Sequence, residues 1–376
     1  MRNIAQASLL AAALLVTACG TATAPVSSAS RGPGQTCAPG QIAPVSASFV
    51  SATDGWLLGI TIPECWPSAS SRVVAATTTD GGRHWSPVSA PPAPWGGEQT
   101  VKQDAVGSIL FAGPRDGWAF GPGLWATHDG GATWHLVDTG GHSVESMAAT
   151  DGHVVAAFLT CGTACGRGAP SSFTVETTAS GSDAWRAVPG ATGPGDPIMT
   201  ASAGTAYAVG SGGFDGSLMS LLTGPADGTS PWQRHQTQCP GIGGIAASAV
   251  TARSLVMACT MLGEHPAVTR LFQSGDSGAH WRSFGHIAMY DGPEIIEITP
   301  GGTVLAAGIY DGIELSRDGG RTWQRPAAVD DAAPTGGGGA VVAAMTSDET
   351  GYAFVVGGPM WITADGGRTW TPVAVR

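Results

Sequence analysis

The chain has 376 residues, 43% apolar and only 12% charged, with a formal net charge of −11 and a single lysine, Lys102, among 17 basic residues. That balance leaves no basic stripe for a phosphate backbone, which excludes nucleic acid as a partner and suits solubility outside the cell. The length and apolar content can bury a large core, while 57 Gly and 26 Pro predict a chain broken by many turns.

Met1-Arg2-Asn3 is a short basic start, followed by an apolar run from Ile4 to Val16. The run is shorter than the ~20 residues a helix needs to cross a bilayer. It reads instead as an export signal over residues 1–18. Val16-Thr17-Ala18-Cys19-Gly20 resembles the lipobox of bacterial lipoproteins, in which the cysteine becomes the acylated N-terminus after cleavage. The resemblance implies a lipid on Cys19 and anchorage to the outer face of the cytoplasmic membrane, by lipid alone, with two acyl chains making the anchoring durable. An ordinary secretory signal whose small-residue site abuts a cysteine is the alternative. Residues 19–40, rich in Ala, Ser, Thr, Pro and Gly, are expected to form a flexible tether.

From residue 41 to 376 one pattern recurs: Ser or Thr, any residue, Asp, any residue, Gly, two more, Trp. It is intact at Thr78/Asp80/Gly82/Trp85, Thr127/Asp129/Gly131/Trp134, Ser274/Asp276/Gly278/Trp281, Ser316/Asp318/Gly320/Trp323 and Thr363/Asp365/Gly367/Trp370. Two worn copies lie between the second and third. One keeps Thr178 and Trp185 with Ser180 and Ser182 in place of Asp and Gly; the other keeps Asp227 and Trp232. The seven tryptophans fall 42 to 51 residues apart, the period of an array of like units. A short carboxylate can take backbone N–H groups just after it and Gly allows a positive φ, so each box is expected to close a hairpin, a structural task rather than a catalytic one.

Around each box run four short alternating segments. The first is small and apolar (45–49, 108–111, 146–149, 295–298). The second follows an Asp-Gly-like turn (55–59, 117–121, 152–156, 206–210, 254–258, 303–308, 351–355), the third enters the box, and the fourth starts at its Trp. Gly-rich punctuation without a helical period predicts an all-β protein, a seven-bladed β-propeller with four antiparallel strands per blade and the box between the third and fourth. The blades are expected at roughly 42–90, 101–140, 143–189, 196–237, 242–287, 292–328 and 339–376, the last completed by the chain's own end so that no strand passes between termini.

These boxes resemble the Asp-box, or BNR, repeat of sialidases, sortilin-type receptors and photosystem II assembly propellers. Asp116-Gly117-Trp118-Ala119-Phe120-Gly121 ahead of the Thr127 box is most similar to the photosystem-assembly type. The resemblance covers residues from about 42 to 376 and implies the fold; it spans enzymes, receptors and assembly factors alike. Sialidase members use three arginines, a Tyr with a Glu partner and an Asp, and most carry an Arg-Ile-Pro segment, which is absent here. Tyr310 with Asp311 and Glu314 is the nearest match to a nucleophile and helper, and no catalytic set is assigned.

The expected function is therefore a monomeric binding or assembly scaffold for a protein or glycan at the cell surface, with a sialidase-like or other glycoside hydrolase as the alternative. Recognition is expected on the loops joining second to third strands and blade to blade, where Trp66, Trp95 and Arg167 are the candidate contacts. Six further cysteines suit disulfides in an exported chain. Neighbour pairing, Cys37 to Cys65, Cys161 to Cys165 and Cys239 to Cys259, keeps each bridge within a repeat or its entrance. None of the nine histidines stands at ligand spacing from a cysteine, and no Gly-rich loop precedes a helix, so no metal and no cofactor are expected.

Overall fold

The computed structural model describes residues 42–61, 71–96, 102–161, 171–210, 220–239, 245–260, 267–290, 292–308, 311–330, 341–356 and 358–375. They form seven antiparallel sheets, each a meander taken in chain order. Blade one contains β1 (Ile42–Phe49), β2 (Gly55–Thr61), β3 (Val73–Thr78) and β4 (Ser86–Val88). Blade two contains β5 (Ser108–Phe111), β6 (Gly117–Phe120), β7 (Leu124–Thr127) and β8 (His135–Leu136). Blade three contains β9 (Ser143–Thr150), β10 (His153–Cys161), β11 (Ser171–Ala179) and β12 (Arg186–Pro194). Blade four contains β13 (Pro197–Ser202), β14 (Thr205–Gly210), β15 (Ser220–Pro225) and β16 (Gln233–Gln236). Blade five contains β17 (Ile245–Ala249), β18 (Leu255–Thr260), β19 (Ala267–Ser274) and β20 (Arg282–Met289). Blade six contains β21 (Ile295–Ile298), β22 (Val304–Gly308) and β23 (Gly312–Ser316), its fourth position reduced to a single bridge between Leu315 and Gln324. Blade seven contains β24 (Val341–Met345), β25 (Gly351–Val355), β26 (Met360–Thr363) and β27 (Thr371–Val373). One helical turn, α1 (Ala327–Asp330), follows blade six. The protein is an all-β seven-bladed propeller.

The first strands of successive blades lie side by side about the axis, and β25 packs on β1 to close the ring. Both ends of the described chain meet there, the Ile42 N–H donating to the Val375 carbonyl at 3.3 Å, and neither terminal sheet borrows a strand from the other.

The boxes act as turn locks. In the first, Thr78 Oγ1 donates to Asp80 Oδ1 at 2.9 Å and accepts the Gly82 N–H at 3.0 Å, while Asp80 Oδ1 accepts the His84 N–H at 2.9 Å. The same bonds recur at Asp129, Asp276, Asp318 and Asp365. These donors hold the carboxyls well below the usual range, Asp80, Asp129 and Asp365 at about 2, with the His84 backbone N–H the largest cause for the first and the hydroxyls of Thr133 and Thr369 for the others. Two consecutive positive φ values shape each turn, as at Gly81 and Gly82 (74° and 86°). The fifth blade places Ser277 at φ 62°, where the other intact boxes have Gly. The worn box of blade three holds differently, Thr178 Oγ1 donating to the Ser182 carbonyl at 2.9 Å.

The box tryptophans do more than cover their own hairpins. Each packs against the preceding blade: Trp85 joins Tyr352, Phe354 and Ile362 of blade seven, Trp134 stands edge-on to Phe111 beside Trp56 of blade one, and Trp185 meets Trp118 of blade two. Trp232, Trp281, Trp323 and Trp370 fill the remaining four junctions in the same way. Their N–H groups fare unevenly. Trp134 reaches the Ser89 carbonyl and Trp323 that of His286, both at 2.9 Å, whereas among the described residues none accepts from Trp85, Trp185 or Trp281.

A second link runs nearer the axis. The first strand of a sheet has one edge of unpaired amides, and side chains from the preceding blade's first strand meet it. Ser46 and Ser48 accept the Ile109 and Phe111 N–H groups at 3.1 and 2.9 Å, Ser146 that of Met199 at 2.9 Å, Thr200 that of Ala249 at 2.8 Å, and Glu297 Oε2 that of Met345 at 3.0 Å. The sequence marked these strands as small and apolar; their hydroxyls are the more informative part. Ser48→Ala removes the acceptor for a buried amide, and a cost of about 1–3 kcal/mol is expected in denaturant unfolding. Unchanged stability would show that the Phe111 amide needs no acceptor.

Candidate functional site

A four-stranded meander puts its second-to-third turns and its links to the next blade on one face, and its first-to-second turns and boxes on the other. On the first face the expected contact residues separate. Trp66, Arg167 and Tyr310 lie outside the described residues, as do Cys19, Cys37, Cys65 and Cys165; Cys161 ends β10. Trp95 is 4% exposed and packs with Ala43, Val45 and Ile60, so its ring belongs to the core between blades one and two rather than to a contact surface. The backbone explains why: Gly96 N–H donates to Val106 and Val106 N–H to Pro94, lacing this segment into the junction at 2.8 and 3.0 Å.

Asp311 is also engaged. Its Oδ2 accepts the Tyr290 N–H and its Oδ1 lies 3.2 Å from Arg325 Nη2, which with Nε also grips Glu314 Oε1 at 2.7 Å. The one cation is shared by both carboxylates and ties the Gly312 strand to the segment before α1. That arrangement suits a brace more than a nucleophile's helper.

Two carboxylates from neighbouring blades act on each other on this face, and sequence reading missed them. Glu145 is the third residue of β9, beside Gly121 in the blade-two turn, and Asp196 immediately precedes β13. Burial, with the Asp196 charge adding to it, pushes Glu145 up to about 8. Such an acid is protonated at neutral pH and can donate. Burial likewise lifts Glu297 to about 7 against the pull of the Met345 amide. Neither residue has a signature in the sequence, because an inner-strand acid resembles any acid in an alternating strand.

The box face holds a different set between blades two and three. His128 occupies the second position of the Thr127 box, His135 opens β8, and Asp183 comes from the worn box of blade three. Asp183 Oδ2 lies 3.2 Å from His128 Nε2 and 2.6 Å from His135 Nε2. Behind them His128 Nδ1 is 2.9 Å from Asp116 Oδ1, and Trp118 Nε1 donates to Asp183 Oδ1 at 3.2 Å. Burial alone would lower His128, but its bonds to Asp116 and Asp183 outweigh that and raise it. Seeking ligand spacing only between histidine and cysteine overlooked this pair seven residues apart; their partner Asp183 is visible only once blades two and three are side by side.

Cys239 and Cys259 form a disulfide with Cα atoms 5.4 Å apart, linking the end of blade four to β18. Among the described residues no helix is long and apolar enough to cross a membrane.

No family model matches the chain, and no curated protein does. Solved structures do. A structure of YCF48 bound to D1 peptide is 18% identical, covering 89% of this chain and 99% of that one with a TM-score of 0.55. YCF48 from Cyanidioschyzon merolae is 14% identical with the same coverage and a TM-score of 0.56. A GH74 xyloglucanase from Xanthomonas campestris, at 12% identity, 88% and 72% coverage and a TM-score of 0.32, is too distant in shape to inform this site. At these identities the likeness is one of fold, a seven-bladed propeller spanning nearly the whole of both YCF48 chains.

Glu145 predicts a pH response. Its folded value near 8 lies above the ordinary 4.5, so the folded chain binds the proton more tightly; the stability this gives is full below about pH 4.5 and is lost as pH rises through about 8. Thermal melts should therefore fall between about pH 4.5 and 8, and Glu145→Gln should flatten that slope. An unaltered profile in the variant would refute the protonated state.

Proposed function

We propose that this chain is an exported, lipid-anchored binding or assembly scaffold whose propeller recognises a protein or glycan through its loop face. The observation that carries the reading is the ring shared over 89% of this chain with YCF48, which is seen bound to D1 peptide. The rest is consistent with it. The described Asp311 and Glu314 carboxylates are engaged by Arg325, the boxes serve the fold, and the connections at 62–70, 162–170, 211–219 and 261–266 differ most from blade to blade in sequence. The signal and Cys19 supply the address: export, cleavage before Cys19, and acylation.

Glu145 and Asp196 favour a second reading, a glycoside hydrolase. One carboxyl kept protonated by its surroundings and by the charge of a neighbouring carboxyl is the kind of acid and base pairing such chemistry uses.

Two measurements separate these. A photo-crosslinking residue at position 66 or 167 on intact cells should yield one recurrent partner that the same residue at Arg83, on the box face, does not; no such partner at either loop position would reject the scaffold. Turnover of fluorogenic glycosides that disappears in Glu145→Gln would establish the hydrolase instead. Anchorage has its own test: Cys19→Ser should move the protein from the membrane fraction to the soluble one, and a variant that stays with membranes would rule out the lipid.

A further inference from the structure

We propose that His128, His135 and Asp183 form a binding site for one divalent transition-metal ion of the zinc class, clipping blade two to blade three on the box face.

The donor atoms already converge. His128 Nε2, His135 Nε2 and an Asp183 oxygen all lie within 4.8 Å of one another. Two imidazole nitrogens and one carboxylate oxygen are a ligand set for zinc and its neighbours rather than for calcium or magnesium, which take oxygen. Zinc bonds of about 2.0–2.2 Å place tetrahedral ligand atoms roughly 3.3–3.5 Å apart. The 3.2 Å separation from His128 is close to that, and the 2.6 Å separation from His135 opens by moving a ring that is 55% exposed.

The supporting contacts are those a metal ligand needs. His128 Nδ1 faces Asp116, which can keep the proton on that nitrogen while Nε2, aimed at Asp183 Oδ2, gives up its own proton in exchange for an ion. A cation serves His128 and His135 at once, and the Asp116 carboxylate orients the first ring from behind, as carboxylates commonly do for metal-bound imidazoles. Trp118 Nε1 holds the other oxygen of Asp183, which turns Oδ2 toward the rings. The set leaves a fourth position open to water.

The repeat itself shows how unusual the junction is. In the preceding junction the equivalent indole, Trp56 Nε1, donates to a backbone carbonyl, that of Gly130, at 3.0 Å. In blade three the box has Ser180 where the intact copies have Asp, and a carboxylate stands three residues later. The other box histidines, His84 and His280, each meet one carboxylate four residues away on rings that are 89% exposed, and neither gathers a third ligand.

The test uses the full chain, stripped by chelator and titrated with Zn²⁺ alone by calorimetry, with melting temperature followed in parallel. One ion per chain is expected, with a rise in melting temperature. His135→Ala should weaken binding at least tenfold, roughly, and Asp116→Asn by about 10- to 100-fold, while His280→Gln leaves it unchanged. His135 is exposed, so its variant should melt like the metal-free parent and a loss of binding in it cannot be laid to misfolding. X-ray absorption should show two nitrogen neighbours and oxygen. Absence of one-to-one binding, binding that survives both His135→Ala and Asp183→Asn, or a sulfur shell pointing to the cysteines would overturn the site.

Discussion

Every blade of this ring is completed by the one before it. A four-stranded sheet on its own exposes two apolar faces and an inner edge of unpaired amides, and water would have to solvate all three. Here the box tryptophan of each blade fills the junction with its predecessor, and at several junctions a hydroxyl or carboxylate from the earlier first strand accepts the later strand's amides. The ring follows from that dependence. The first blade has no predecessor in sequence, so it must find the last, and Trp85 does so among Tyr352, Phe354 and Ile362, with Tyr352 donating to the Ala47 carbonyl at 3.1 Å.

The same dependence explains which parts of the molecule were legible from residues alone. The boxes were, because their bonds are local: hydroxyl, carboxylate and glycine lie within five residues and need no partner from elsewhere. Strand positions followed, with β5 and β21 falling where the alternation put them. Trp95 was not, since a Trp in a Pro-rich connection looks like an exposed anchor until Val106 is seen to lace its backbone inward. The inner-strand serines carried no signal either. Their acceptors serve amides some 50 to 60 residues away, such as Ser48 with Phe111, 63 residues on.

Charge at the axis adds a further consequence of close packing. Glu297 occupies a place where other blades use Ser or Thr, and it accepts an amide in the same way. A carboxylate in that crowded setting is poorly solvated, so its proton is held to about pH 7, whereas a hydroxyl would be indifferent to pH. Glu145, with the Asp196 charge acting on it, is held higher still. The Glu145 and Glu297 carboxyls thus change charge across the physiological range, while the box aspartates, solvated and saturated with donors, stay ionised throughout.

The departures from the repeat are not scattered evenly. Blades three and four have lost the intact box, and several side-chain ties cross the junctions around them, as Arg317 also does between blades six and seven by donating to the Gly366 carbonyl at 2.8 Å. Asp183 gathers two histidines and an indole across the second and third blades. Arg234 reaches back from β16 to the Thr192 carbonyl at 2.6 Å, and Thr177 reaches forward to that of Ala226 at 2.6 Å. The Cys239 to Cys259 bridge then fastens blade four to blade five. A turn without its Asp has fewer bonds to fix the direction in which its tryptophan enters the neighbouring blade, and the blade-three turn keeps only the Thr178 bond to the Ser182 carbonyl in place of the carboxylate's. Cross-links between blades restrain the same degree of freedom from outside the turn. Local order in the box and long-range ties across the junction therefore act on one mechanical problem, and between blades two and three the tie is made by Asp183, which the worn box supplies.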